Sequence, residues 1–287
     1  MKVYINGKFF AKEDAKVSVF DHGLLYGDGA FEGIRSYNRL IFKLNEHVER
    51  LYETCHTLMI EIPMSKEDMG KAIASTLLEN KLDNAYIRVI VTRGEGDLGL
   101  DPRKCYGKPG IIIITDKINL YAPELYQKGM EIITVPTVRN HAEALNPQLK
   151  SLNYLNNILA KIEANTSGYS EAIMLDTHGN VAECTGDNIF IVKKGKLLTP
   201  AQGRLRGITR DAVMELATEN RISVEETTLT RHEIYNAQEC FLTGTAAELI
   251  PVVKVDGRKI GAGTPGPITK KMLDAFHEVT KKDGMKY

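Results

Sequence analysis

Four features of the sequence could carry chemistry: two turns rich in small and hydroxyl residues, one lysine and one carboxylate. Gly207-Ile208-Thr209-Arg210-Asp211 opens an apolar-periodic segment. A threonine at a helix start leaves backbone N–H groups and a hydroxyl to face an anion, and the helix dipole adds attraction. Thr243-Gly244-Thr245-Ala246-Ala247 follows the apolar run Cys240-Phe241-Leu242. Its small residues allow close backbone approach, and its hydroxyls can donate to phosphate or carboxylate oxygens. Taken singly, a plain helix cap and an ordinary turn explain both. Two anion-suited turns in one half of the chain point to a phosphorylated ligand.

Lys150 lies between Leu149 and Ser151, near the start of an apolar segment that reads as a helix. On the surface it is one solvated charge among many. In a desolvated site it loses its proton and becomes a nucleophile or base. Glu183 stands in Val181-Ala182-Glu183-Cys184. It is either a solvent-facing hairpin residue or a carboxylate able to pair with a cationic ring nitrogen. A phosphate cradle, a lysine and a buried carboxylate together are what pyridoxal phosphate requires. The lysine makes the Schiff base, the carboxylate keeps the pyridine nitrogen protonated, and the turns hold the phosphate. Composition and spacing permit this set without establishing it.

Periodicity supplies the elements that must position these groups. β-rich runs predict strands at 2–5, 8–10, 86–92, 110–115, 131–136, 171–175, 188–192, 196–199, 222–226 and 239–243. Asn6-Gly7 between the first two is a hairpin signal. Helical spacing of apolar residues predicts helices at 45–60, 151–164, 208–219 and 268–280. Another starts at Ser65, where Ser65 and Asp68 resemble a capping box. Residues 116–124 break the pattern. The mixture predicts a mixed α/β (α+β) fold in two parts. These are a small N-terminal α/β domain at 1–118, an interdomain loop at 119–125 and a larger C-terminal α/β domain at 126–287.

Composition excludes several classes. Lys plus Arg number 37 and Asp plus Glu number 37, so the net charge is zero and a dedicated nucleic-acid binder is disfavoured. The hydrophobic share of 43% is that of a folded globular chain. Cys55, Cys105, Cys184 and Cys240 are too far apart for a zinc knuckle or redox pair and read as reduced thiols of a cytoplasmic protein. The start MKVYINGKFF is too short and polar for a signal peptide, and no apolar run approaches a membrane span. No metal site is expected. GEGDLG at 94–99 matches the dinucleotide fingerprint after a strand. That site needs a helix opening on the glycines. The segment that follows, DPRKCYGKPG, holds two prolines and two glycines, so a glycine-rich loop is the better reading.

Seven motifs in order carry a family resemblance. They are Asp21-His22-Gly23-Leu24-Leu25-Tyr26-Gly27-Asp28-Gly29, Phe31-Glu32-Gly33-Ile34-Arg35, Glu46-His47-Val48-Glu49-Arg50-Leu51, Lys150-Ser151-Leu152-Asn153-Tyr154, Glu183-Cys184-Thr185-Gly186-Asp187-Asn188-Ile189-Phe190, Leu205-Arg206-Gly207-Ile208-Thr209-Arg210, and Thr243-Gly244-Thr245-Ala246-Ala247-Glu248. Over nearly its whole length the chain resembles the class IV pyridoxal-phosphate aminotransferases of fold type IV, and most closely the branched-chain amino-acid aminotransferases. The resemblance implies a two-domain fold with the cofactor between the domains. It implies transfer of the amino group of Leu, Ile or Val to 2-oxoglutarate. The partners implied are small amino acids and 2-oxo acids, and a second copy of the chain in a homo-oligomer, a dimer at least or a hexamer.

Site roles follow from the resemblance, residue by residue. Lys150 would carry the cofactor and shuttle the proton between Cα and C4′. Tyr154 would bond the 3′ oxygen, and Glu183 would pair with the pyridine nitrogen. Arg50, Ile208, Thr209 and Thr245 would bind the phosphate. Tyr86 and the Thr245-Ala246 turn would take the α-carboxylate, and Arg88 the distal carboxylate of glutamate or 2-oxoglutarate. Tyr26 and Phe31 would line an apolar pocket, with Leu100 reaching in from a second subunit, and Tyr121 would close over it. The chain departs from the family in two places. It has no tryptophan, whereas some members carry one in the interdomain loop. Arg204 and Arg206 precede the phosphate turn, either as solvated charges or as an added carboxylate contact. D-amino-acid aminotransferases and aminodeoxychorismate lyases share the fold. The usual Arg-x-His element of the former is not evident at 99–103. Outside the fold, a nicotinamide dehydrogenase and a non-catalytic interaction protein are the rivals.

Overall fold

Strand alternation builds the first of two compact units in the computed structural model, which describes residues 1–118 and 120–287. Asn119, the first residue of the expected interdomain loop, lies outside the described residues. The first unit comprises Met1–Ile118, Leu149–Asn153 and Thr280–Tyr287, and the second Asn119–Gln148 and Tyr154–Val279. The sequence division at 1–118 and 126–287 differs from this at Leu149–Asn153 and at the C-terminus. Backbone pairing is the reason: Ser151 bridges Ala30, and the last strand adds to the first sheet.

The first unit begins with β1 (Lys2–Ile5), β2 (Lys8–Ala11), α1 (His22–Tyr26), β3 (Gly29–Tyr37), β4 (Leu40–Phe42), α2 (Leu44–Thr57), α3 (Lys66–Glu79), β5 (Ala85–Thr92) and β6 (Gly110–Asp116). Ser65 caps α3 by accepting from the Asp68 N–H, as the sequence predicts. Residues 94–99 form a loop, followed only by a 3-10 turn at Pro102–Lys104, so the dinucleotide reading fails. In β5, alternation buries Ile87, Val89 and Val91 against the α2 and α3 core of Leu51, Met69, Ile73 and Leu77. Each such side chain contributes roughly 1.5–3 kcal/mol when fully buried. The same alternation turns Tyr86 and Arg88 to the opposite face.

The second unit runs through α4 (Pro123–Lys128), β7 (Met130–Thr134), α5 (Ala142–Leu145), α6 (Leu155–Thr166), β8 (Ala172–Leu175), β9 (Val181–Cys184), β10 (Asn188–Lys193), β11 (Lys196–Pro200), α7 (Ile208–Glu219), β12 (Val224–Thr227), α8 (Arg231–Tyr235), β13 (Glu239–Gly244), β14 (Glu248–Val255), β15 (Arg258–Lys259) and α9 (Pro267–Val279). The strand order is β12-β11-β10-β13-β14-β7-β8-β9, with β15 on β14. Pairs β11·β12, β7·β14 and β7·β8 are parallel, and the others antiparallel. Ile132, Ile189, Ile191, Leu242 and Ile250 fill the core. The chain ends on β16 (Gly284–Lys286), which pairs with β4 and completes the first sheet, β16-β4-β3-β5-β6-β1-β2. That sheet is antiparallel throughout.

Candidate active site

In the first unit, Lys150 is held on an extended segment beside β3, not on a helix as its neighbours suggest. The Phe31 N–H donates to the Lys150 carbonyl at 3.0 Å, and the Leu152 N–H to the Gly29 carbonyl at 2.9 Å. Asn153 donates to the Gly27 carbonyl at 2.8 Å, tying the lysine segment to the Asp21–Gly29 motif. Lys150 Nζ lies 4.5 Å from the Phe31 ring centroid, and the Arg88 guanidinium lies 4.5 Å from the same centroid. Arg88 donates to the Tyr86 hydroxyl at 3.0 Å. Gly33 stands opposite Arg88 in β3, and a Cβ there would meet Tyr86 Oη at 2.2 Å. The glycine is therefore what lets Tyr86 lie over the sheet.

Arg50 and His47 lie three residues apart on α2, on the side that meets β3. Arg50 donates through Nε to Glu32 Oε1 at 2.7 Å and through Nη2 to Oε2 at 2.9 Å. His47 Nδ1 lies 2.8 Å from Glu32 Oε2. Burial would raise the Glu32 carboxyl, but Arg50 and His47 outweigh it and hold it well below the usual carboxylate range. Burial pushes His47 down and outweighs the raising charge and hydrogen bond of Glu32, with Arg50 and Lys150 adding to the downward push. A carboxylate oxygen only accepts, so His47 Nδ1–H is the donor to Glu32. Tyr26 donates to the Leu98 carbonyl, and Leu100 is 79% exposed.

In the second unit, Glu183 is buried on β9, so the solvent-facing reading is excluded. It accepts from Arg139 Nε at 2.8 Å, from Asn188 at 3.1 Å and from the Leu205 N–H at 3.0 Å. Asn188 also donates to the Leu205 carbonyl at 3.0 Å. Glu183 is thus wired to the segment that opens α7. That helix starts at Ile208 behind Gly207, as the sequence predicts, with Thr209 buried in its first turn. Thr245 and Ala246 form the turn between β13 and β14. Next to it, Thr243 Oγ1 is buried with no hydrogen-bond partner among the described residues. Tyr154 is the N-cap residue of α6.

Three of the residues named above are engaged by neighbouring side chains. The Tyr121 hydroxyl donates to Asp187 at 3.3 Å and lies 3.4 Å from Glu171. Arg204 is buried and bonds the Pro200 carbonyl and Glu226, which removes it as a substrate contact. Arg206 is exposed and pairs with Asp211. Sequence reasoning missed Arg139, Glu32 and His47 as supports of the site. The last two stand in the quoted motifs, beside residues that were assigned roles. Among the described residues no group of three or more His, Cys, Asp or Glu could hold a metal ion, and no helix is long and apolar enough to cross a membrane.

The family model described as amino-transferase class IV matches residues 29–255. A protein of Methanocaldococcus jannaschii, named provisionally as a branched-chain-amino-acid aminotransferase, is 54% identical over 288 residues, 100% of this chain and 99% of its own. The branched-chain-amino-acid aminotransferase of Escherichia coli K12 is 36% identical over 281 residues, 96% of this chain and 91% of its own. The crystal structure of an Escherichia coli branched-chain amino acid aminotransferase matches with a TM-score of 0.94 at 35% identity, over 100% of this chain and 97% of that one. That of the branched-chain aminotransferase of Thermoproteus uzoniensis, with norvaline, matches at 0.91 and 36% identity, over 98% and 95%. Family match, full-length relatives and fold agree, and the chain belongs to the class IV aminotransferases.

Proposed function

We propose that the protein is a branched-chain amino-acid aminotransferase that moves the amino group of L-Leu, L-Ile or L-Val to 2-oxoglutarate, yielding branched 2-oxo acids and L-glutamate. Names of relatives over their full length support this reading. The cofactor of the family is pyridoxal 5'-phosphate, and a branched-chain aminotransferase of the same fold was crystallised with N-(5'-phosphopyridoxyl)-L-glutamate. The residues present fit that group. Glu183 is a buried carboxylate ringed by three donors, and Thr243 Oγ1 is a buried hydroxyl without a partner among the described residues, next to a turn of small residues. When bound, the cofactor supplies an aldehyde for the amino group and an electron sink for the adjacent carbon.

The chain's residues would do the rest. Lys150 Nζ would hold the cofactor and, once displaced from it by the substrate amine, would move the proton to and from the substrate Cα. Glu183 holds a proton on the ring nitrogen, with Arg139 keeping its carboxylate oriented. Tyr154 donates to the ring oxygen. Arg50, the Ile208 and Thr209 N–H groups, the Thr209 hydroxyl and Thr245 grip the phosphate. Tyr86, Thr245 and Ala246 take the α-carboxylate, and Arg88 takes the distal one bidentately. Tyr26, Phe31 and a partner subunit's copy of Leu100 exclude water around the apolar side chain. A homo-oligomer fits the exposed stripe of Leu155, Ile158, Leu159 and Ile162 on α6. A cytoplasmic location fits four free cysteines.

The observation that carries the reading is that the Lys150 amine and the Arg88 guanidinium each lie 4.5 Å from the Phe31 ring centroid. The test is the visible spectrum of the purified holoenzyme. Loss of its long-wavelength band with L-leucine and return with 2-oxoglutarate are expected. A response to D-alanine alone would move the protein to the D-amino-acid enzymes. Absence of any band after adding pyridoxal phosphate would overturn the assignment.

A further inference from the structure

We propose that Glu32, anchored by His47, is the positioning residue that fixes the Arg50 guanidinium for the cofactor's phosphate. The proposal rests on Arg50 being a phosphate ligand, as argued above. Glu32 is fully buried, and His47 is 1% exposed. A carboxylate in such a place is costly unless it is paired and hydrogen-bonded. Here both its oxygens are engaged. Arg50 meets them side-on through Nε and Nη2, and His47 donates to the second oxygen. Two parallel bonds fix a guanidinium in plane as well as in place, which one bond does not. The Arg50 stem would otherwise keep its rotamer freedom, and ordering it on each binding event would weaken the grip. His47 also lies within the electrostatic reach of Lys150, whose carbonyl accepts from the Phe31 N–H next to Glu32. Phe31, whose N–H holds the Lys150 carbonyl, precedes Glu32 on β3, so the strand that holds the lysine segment also carries the Arg50 anchor.

Simple electrostatics predicts the opposite of positioning, and this makes the proposal testable. Removing the Glu32 charge leaves the site more cationic, so a purely electrostatic role would make Glu32→Gln bind phosphate more tightly. Positioning makes it bind more weakly. A merely structural role would disturb phosphorylated and unphosphorylated cofactor alike. The experiment titrates pyridoxal phosphate and pyridoxal, separately, into the cofactor-stripped full-length chain and reads the dissociation constants by absorbance.

In Glu32→Gln, affinity for pyridoxal phosphate should fall about 10-fold or more, the usual loss of a charged hydrogen bond, with pyridoxal affinity unchanged. His47→Ala, which leaves the Arg50–Glu32 fork, should show the same selective loss at roughly two- to threefold. Arg50→Lys is the control for the underlying reading. If Arg50→Lys lowers the preference for pyridoxal phosphate but Glu32→Gln and His47→Ala do not, the positioning role is wrong and the phosphate role stands. Tighter binding by Glu32→Gln, or an equal loss of both cofactors, also overturns it. If Arg50→Lys leaves the preference intact, the phosphate role itself has failed. Should Glu32→Gln not fold, His47→Ala decides by the same criterion.

Discussion

Lys150 and Arg88 divide the chemistry at the level of single residues, one serving the reacting carbon and the other the far end of the acceptor. Lys150→Ala should therefore remove nearly all turnover, measured as glutamate formed from leucine and 2-oxoglutarate, and wild-type rates would refute its role. Arg88→Ala should raise KM for glutamate much more than for leucine, because leucine has no distal carboxylate to lose. Equal changes for both donors would contradict that assignment. Arg139 offers a different kind of test. Arg139→Met leaves Glu183 buried without its charge partner, a change that costs about 3–5 kcal/mol in comparable pairs. A cationic ring nitrogen would then restore the missing partner. Added pyridoxal phosphate should consequently raise Tm more in Arg139→Met than in the wild type, and an equal rise would separate Glu183 from the ring. Arg139, Glu32 and His47 were illegible in sequence for one physical reason. Each acts on another side chain, and Arg139 meets a partner 44 positions away. Lys150 and Glu183 stood out because their own charge looked out of keeping with apolar neighbours.

The long helices α2, α3, α6, α7 and α9 were readable in the sequence because their apolar stripe has one period, whereas the short α1, α4, α5 and α8 offered too few turns to show one. Residues 208–219 agree with α7 to the residue. β3 escaped because its first six residues are buried on both faces, which erases alternation, and because Gly29, Glu32 and Gly33 are poor strand formers. β14 escaped because Pro251 sits in its middle, opposite Phe241 of β13. The lysine segment was read as helix, but the pairing of Ser151 with Ala30 and the Asn153 bond to Gly27 keep it extended until α6 begins at Leu155. β16 is short and lacks any periodic signal, yet it closes the sheet edge at β4. Its neighbour Tyr287 donates to the Leu82 carbonyl at 2.6 Å, and its own carbonyl accepts from Arg39 Nε at 3.1 Å and Nη2 at 3.0 Å. Tyr287→Phe should cost about 1 kcal/mol of stability. Removing residues 280–287 should cost more and lower the Tm of the first unit, measured by thermal denaturation. An unchanged Tm in the truncated chain would mean that β4 needs no partner on that edge.

Across the whole molecule, two buried carboxylates pull the pH dependence of stability in opposite directions. Glu32 is held below the range of an unfolded glutamate because Arg50 and His47 outweigh the effect of burial. Its contribution is complete above about pH 4 and is lost as pH falls below that value. Asp187 behaves in reverse. Burial first, and the neighbouring Glu171 second, push its carboxyl up to about 7, against the lowering influence of the Tyr121 hydroxyl and Lys161. An unfolded aspartate releases its proton near about pH 4, whereas the native one keeps it until near neutrality. Native protein therefore binds the extra proton between these limits, and stability falls as pH rises through that window. Asp187→Asn imitates the protonated group and cannot titrate. Its Tm should lie close to that of the wild type near about pH 4 and rise progressively above it toward about pH 8. Thermal melts across that range decide the matter. Parallel curves for the two proteins would mean that Asp187 is already ionised at low pH, with Lys161 and Tyr121 stabilising its charge more than Glu171 opposes it.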